Sequence, residues 1–361
     1  MAAQRTPVLF VLGLLQLAVL ASCDDPPTSP TSLSISCPGN VAATSRDGRP
    51  TEVTYTSPTT SGGTPPVSAT CTPASGSTFP LGSTTVSCTA TDQRQRTASC
   101  SFTVTVAAPP FLAYTKFLAF GDSITEGQDG TRSTGSTSLY EPRVIVPYER
   151  SYPGRLQESL RERYIAQLPV VDNRGRGGET TRGGRERLPE EIAALQPEVV
   201  LLLEGANDLA LGDADTVPRA ADNLRAMVRD AQARRVRVFL ATLTPQREGG
   251  PKAGGAELVP LLNDEIREIA VEENATFVDV YAAFGGDLSL ISADGLHPTE
   301  AGFERMAEAF FEVIRRALEV PFPQAAPDAV TTGGAATKTV LPTHEFPTPV
   351  GGAPRDVRSR R

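Results

Sequence analysis

The sequence predicts two domains, a small disulfide-bonded β-sandwich followed by a three-layer α/β domain with a parallel sheet. Three observations predict this. Short Val/Thr/Ser-rich segments separated by Gly/Pro turns fill residues 32–108. All five cysteines lie at or before Cys100. From residue 116 onward apolar strand-like runs alternate with amphipathic helical segments, the pattern of a parallel sheet covered by helices.

The chain of 361 residues is long enough for two such domains. Hydrophobic residues are 39% and charged residues 21%, which supports packed cores, and the net charge of −8 with no basic stripe argues against nucleic-acid binding. Residues 1–22 read as a signal segment, with Arg5 as its positive start and Val8 to Leu20 as an apolar run too short to span a bilayer comfortably. Leu20-Ala21-Ser22-Cys23 resembles the lipobox of bacterial lipoproteins. That resemblance implies lipidation of Cys23, a membrane anchor, and a place in the bacterial cell envelope. Cysteine parity agrees, because setting Cys23 aside leaves an even four, Cys37, Cys71, Cys88 and Cys100, within one small module. Residues 23–31, rich in Asp, Pro, Ser and Thr, read as a solvated tether.

In the first domain, strands are expected at Ser34–Cys37, Glu52–Tyr55, Val67–Cys71, Thr84–Cys88 and Ser101–Val106. So small a core gains from disulfides worth ~2–4 kcal/mol each. Four cysteines allow three pairings, and the sequence does not choose among them. The run Cys71 to Gly82, then Cys88-Thr89-Ala90-Thr91-Asp92 and Cys100, resembles the hyalin repeat. That resemblance implies an immunoglobulin-like extracellular module, a spacer or an adhesion unit.

Residues 109–115, opening on two prolines, read as a stiff linker into a domain at 116–319. Phe117–Phe120 is the first expected strand, and Gly121 is expected to turn the chain with positive φ so that Ser123 is presented at the strand's end. Residues 128–149 are long for a connection and read as a functional loop or lid. Helix is expected at Ser151–Ala166, strand at Pro169–Asp172, and a helix opening after the glycine block Gly175-Arg176-Gly177-Gly178. The spacing of that block is wrong for a dinucleotide fingerprint. Then follow a strand at Glu198–Leu203, a helix at Pro218–Arg234, a strand at Val236–Ala241, a helix at Ala256–Glu273 and a strand at Ala275–Val280. A last helix is expected to open with Pro298 at its first position. The tail 320–361, rich in Pro, Thr and Gly, reads as disordered.

The chemistry-bearing residues fall at the expected carboxyl ends of strands, where parallel sheets place ligands. Ser123 is a candidate nucleophile. Asp294 and His297 stand three residues apart in one loop, so the carboxylate can accept the Nδ1–H of the imidazole and leave Nε2 as a base. His297 is the only histidine of this domain, the other, His344, being in the tail. Four blocks in order, Gly121-Asp122-Ser123, the glycine block to Gly178, Gly205-Ala206-Asn207-Asp208, and Asp294 with His297, resemble the SGNH hydrolases, also called GDSL esterases and lipases. The resemblance spans residues 116–319 and implies a flavodoxin-like sheet. It also implies a serine esterase with Ser123 as nucleophile, His297 as base and Asp294 as its orienter. The implied oxyanion donors are the backbone N–H groups of Ser123 and Gly178 and the side-chain amide of Asn207. Asp122 and Asp208 read as supports. The substrate implied is a small-molecule, glycan or lipid ester, either an acetyl ester of a glycan or a longer acyl group of a lysophospholipid or thioester. The competing class is a non-catalytic glycan-binding adhesin. Arg174, Arg176, Arg182 and Arg185 around the glycines read as a solvated rim or as an attractor of an anionic substrate. No cofactor is expected, and no metal, because the second domain has neither a histidine nor a cysteine cluster.

Overall fold

Side chains alternate in and out along the long strands of the first domain, and that alternation builds its core. The structure, a computed structural model, describes residues 31–130, 144–210, 212 and 215–323. The signal segment with Cys23, residues 131–143 of the 128–149 insertion and the tail beyond residue 323 lie outside the described residues.

The first domain holds β1 (Ser34–Ser36), β2 (Val41–Thr44), β3 (Thr51–Val53), β4 (Thr59–Ser61), β5 (Ser68–Thr72), β6 (Ser77–Phe79), β7 (Gly82–Thr91) and β8 (Thr97–Ala107). One sheet runs β2-β8-β7-β5, and β1-β4 and β3-β6 form two-stranded sheets. Within this domain, among the described residues, only β2 and β8 pair in parallel. Val86, Cys88 and Ala90 of β7 and Phe102, Val104 and Val106 of β8 point inward at every second position, joined by Val53 and Phe79. Disulfides join Cys37 to Cys100 and Cys71 to Cys88. The strands β2, β4 and β6 were not expected, being only three or four residues long and lacking a run of alternating apolar residues.

β9 (Phe111–Leu112) pairs antiparallel with β15 (Glu319–Val320), so the stretch read as linker is tied to the end of the α/β domain. Between them lie β10 (Lys116–Gly121), α1 (Ser123–Glu126), α2 (Tyr152–Arg163), β11 (Val170–Gly175), α3 (Thr181–Leu195), β12 (Val199–Leu203), α4 (Ala206–Leu209), α5 (Thr216–Ala233), β13 (Arg237–Ala241), α6 (Val259–Glu272), β14 (Thr276–Val278), α7 (Val280–Ala283) and α8 (Glu300–Leu318). The sheet order is β11-β10-β12-β13-β14, parallel throughout. Every residue of β12 is buried, as a central strand covered on both faces requires. Helices α2 and α8 pack together, with Tyr152 stacked on Phe310 at 5.3 Å, and α3, α5 and α6 pack in series.

Two expected boundaries shift for local reasons. The last strand stops at Val278 because the Asp279 side chain accepts the Ala282 N–H and opens α7. Pro298 stands before the helix rather than at its first position. Thr299 is the N-cap of α8, its hydroxyl accepting the Gly302 N–H at 3.3 Å. At the two ends of the 128–149 insertion, Asp129 N donates to Val144 O at 2.8 Å and Val146 N to Gly127 O at 2.9 Å.

Candidate functional site

Because β10 lies between β11 and β12, the three N-terminal sequence blocks leave three adjacent strands at their carboxyl ends. Gly121 ends β10, and its φ is not left-handed, contrary to the expected turn. Glycine is needed there for close approach instead, since a Cβ would lie 1.9 Å from the Leu203 carbonyl oxygen on β12. The Asp122 side chain caps α1 by accepting the Ile124 N–H at 2.9 Å. Ser123 is thereby the first residue of α1, where backbone N–H groups lack an intrahelical partner.

Beyond β11, Gly178 has φ +78°, in the left-handed region. An added Cβ would meet no protein atom within 4 Å, so its backbone conformation, not protein crowding, calls for glycine. Beyond β12, the Asn207 amide donates to the backbone oxygen of Glu179, next to Gly178, at 2.9 Å. Asp208 accepts the Thr181 N–H at 2.8 Å and the Thr181 hydroxyl at 2.7 Å, fastening α4 to the start of α3.

The loop before α8 completes the row. Ser123 Oγ lies 2.8 Å from His297 Nε2, and His297 Nδ1 lies 2.6 Å from Asp294 Oδ2. All three residues are buried. Burial pushes the Asp294 carboxyl up, but the hydrogen bond and charge of His297 and the N–H groups of His297 and Leu296 outweigh it and hold the pKa below the usual value. An ionised Asp294 can only accept, so Nδ1 carries a ring proton, and in the neutral imidazole Nε2 accepts from the Ser123 hydroxyl.

Sequence reasoning missed several neighbours. Lys252 donates its backbone N–H to Asp294 O at 2.9 Å and brings Nζ to 3.5 Å from Asp294 Oδ2. Arg187 and Glu179 form a buried ion pair beside Gly178. Glu204, also buried, is pushed far above the carboxylate range by burial first and then by the charges of Asp122 and Glu179. The one available signal was Arg187 on the buried stripe of α3 with Thr181, Gly184, Leu188 and Ile192. Of the four arginines noted around the glycines, Arg174, Arg176 and Arg182 each face a glutamate, at 3.2, 3.5 and 3.5 Å, and Arg185 donates to Asn223 at 3.4 Å. These contacts favour the solvated rim.

A hydroxyl bonded to a ring nitrogen whose other nitrogen is held by a carboxylate can lose its proton as it attacks an electrophilic carbon. A sequence profile described as the GDSL-like Lipase/Acylhydrolase family matches residues 119–305, more than half of the chain. The chain belongs to this family. It is a carboxylic ester hydrolase, and a HYR domain, matched at residues 26–106, precedes its hydrolase domain. The GDSL-like part is 28% identical over 230 residues to the isoamyl acetate-hydrolyzing esterase of Saccharomyces cerevisiae, covering 58% of this chain and 89% of that protein. It is 27% identical over 223 residues to the acetylxylan esterase of Geobacillus stearothermophilus, covering 55% and 93%. A lipase/acylhydrolase structure from Enterococcus faecalis aligns with 24% identity and a TM-score of 0.47, over 58% of this chain and 99% of that one.

Proposed function

We propose that the chain is a serine esterase in which Ser123 is the nucleophile, His297 the general base and Asp294 the orienter of the imidazole. The observation that carries this reading is the buried row of contacts, 2.8 Å from Ser123 Oγ to His297 Nε2 and 2.6 Å from His297 Nδ1 to Asp294 Oδ2. Oγ attacks the ester carbonyl while Nε2 takes its proton, and the carbonyl electrons pass to the oxygen. The backbone N–H groups of Ser123 and Gly178 and the Asn207 amide receive that oxyanion, in the manner of preorganised donors. Collapse expels the alcohol, protonated by His297. Water then attacks the acyl-enzyme with the same base, releasing the carboxylic acid and restoring Ser123.

The acyl group we assign is short, an acetyl ester of a glycan. Relatives named for isoamyl acetate and for acetylxylan support this over a long-chain lipid ester. We also infer a place in a bacterial cell envelope, anchored through lipidated Cys23, from the lipobox-like Leu20-Ala21-Ser22-Cys23. The disulfide-bonded first domain then serves as an immunoglobulin-like spacer. Loss of palmitate incorporation in Cys23→Ser expressed in a bacterial host tests the anchor.

Hydrolysis of nitrophenyl esters from acetate to palmitate, beside Ser123→Ala, tests the chemistry. The expected result is turnover that peaks at acetate and vanishes in Ser123→Ala. Activity that survives the substitution refutes the nucleophile, and a peak at long chains refutes the acetyl assignment.

A further inference from the structure

Helix α3 buries one cation. Arg187 is 7% exposed, and its guanidinium lies over the Phe120 ring with Cζ 4.0 Å from the ring centroid. Nε sits 2.9 and 3.0 Å from the two carboxylate oxygens of Glu179, and Nη2 donates to the same carboxylate. Nη1 donates to the Arg174 carbonyl at 3.0 Å and reaches Glu191 Oε1 at 3.3 Å, and Nη2 reaches the Gly121 carbonyl at 3.4 Å.

Three of these partners adjoin the oxyanion donors. Gly121 precedes Ser123 by two residues at the end of β10. Arg174, in β11, directly precedes the glycine block. Glu179 is covalently next to Gly178, and its carbonyl holds the Asn207 amide. We propose that Arg187 is a positioning residue for the oxyanion site, one planar fork that fixes the ends of β10 and β11 and the Gly178-Glu179 peptide relative to one another. A guanidinium suits the task because its five donors point in fixed directions, where an ammonium is a single point charge. It also has an electrostatic part. Glu179 is buried near the place where negative charge develops, and its other cation, Arg176, is a largely exposed side chain 3.5 Å away. Without Arg187 the Glu179 carboxylate opposes the growing oxyanion charge.

The proposal rests on the assignment of Ser123, Gly178 and Asn207 above. Activity persisting in Ser123→Ala would remove that assignment, whereas a silent Ser123→Ala beside unimpaired Arg187 variants would remove only the role of Arg187. The test uses the full chain, nitrophenyl acetate, and a trifluoromethyl ketone whose serine adduct places an oxyanion in the same site. In Arg187→Met, kcat should fall roughly 100-fold with KM within about twofold, and the ketone's inhibition constant should rise in step with the loss of kcat. Arg187→Lys, which keeps the charge and loses the fork, should retain roughly a tenth of kcat. Glu179→Gln added to Arg187→Met should recover part of the loss by removing the unpaired charge. In an Asn207→Ala background, Arg187→Met should cost less than about threefold, because both changes act on one element. A folded Arg187→Met with kcat within about threefold of wild type, or one that multiplies fully with Asn207→Ala, overturns the proposal. If Arg187→Met does not fold, Arg187→Lys decides, and an unchanged kcat in that variant overturns it.

Discussion

The two oxygens of Asp294 face different partners: Oδ2 faces His297 Nδ1 at 2.6 Å, while Oδ1 accepts the backbone N–H groups of His297 at 3.0 Å and Leu296 at 3.1 Å. One carboxylate thus shapes the loop with one oxygen and orients the imidazole with the other. In Asp294→Asn the amide oxygen can still serve the backbone, which turns its NH2 toward Nδ1. The ring must then present Nδ1 as acceptor and Nε2–H to Ser123, the wrong tautomer for a base. We expect kcat to fall by about 10³–10⁴-fold with little change in KM, by analogy with other serine hydrolases. The pH dependence of stability has a defined sign. The Asp294 pKa is held below its ordinary 3.8, so its ionised form stabilises the fold above that value, and the benefit is lost as pH falls through the lower folded-state value. The stability gap between wild type and Asp294→Asn, read from urea midpoints, should therefore close in acid. A gap that widens in acid would contradict the assignment.

Two glycines of the site should respond differently to alanine. At Gly178 the Cβ meets open space but the φ of +78° is unfavourable for an L-residue, a cost of about 1–2 kcal/mol. Gly178→Ala should fold and lose kcat as its N–H is displaced. At Gly121 a Cβ would stand 1.9 Å from the Leu203 oxygen, a backbone atom that cannot move without separating β10 from β12. Gly121→Ala should lose thermal stability more than Gly178→Ala does. Equal melting temperatures would refute the close-approach argument.

How far these features were legible in the sequence follows from where their information lies. The all-apolar run Val199–Leu203 announces a buried parallel strand by itself, and Asp294 and His297 carry their pairing in a spacing of three. Strands such as Thr59–Ser61 are fully exposed and polar, and only pairing across the domain makes them strands. Gly121 reads as a turn residue because the Leu203 carbonyl it must pass is 82 positions away. The place of Arg187 on the buried stripe of α3 is legible, but its partners are not, because they lie just before α3, on β11 and on β10.

The two disulfides should contribute unequally. Cys37–Cys100 closes a sequence separation of 63 and Cys71–Cys88 one of 17. Loop-closure entropy alone assigns them about 4 and about 3 kcal/mol respectively. Cys37→Ala with Cys100→Ala should therefore lower the urea midpoint of the first domain further than Cys71→Ala with Cys88→Ala. The reverse order would show that side-chain packing around Cys88, in the centre of the core, outweighs chain entropy.

Glu204 offers the last test, because it is a buried acid whose two oxygens have no hydrogen-bond partner among the described residues. Gly184 on α3 makes room for it, since a Cβ there would lie 2.0 Å from Glu204 Oε2. Burial first, then the charges of Asp122 and Glu179, raise its pKa well above the ordinary 4.5, while Arg187 pulls it down without prevailing. Asp122 is pushed up to about 7 in the same surroundings, by burial and by Asp208 and Glu179. An acid with a raised folded-state pKa stabilises the fold fully below its unfolded value and loses that contribution as pH rises toward the folded value. Glu204→Gln, which cannot ionise, should match wild type near pH 4.5 and then gain on it, on the order of 2–3 kcal/mol by pH 7. Thermal unfolding of both proteins between pH 4.5 and 8 measures the difference. A gap that stays flat across that range would mean that Glu204 is ionised and stabilised by partners in the folded protein.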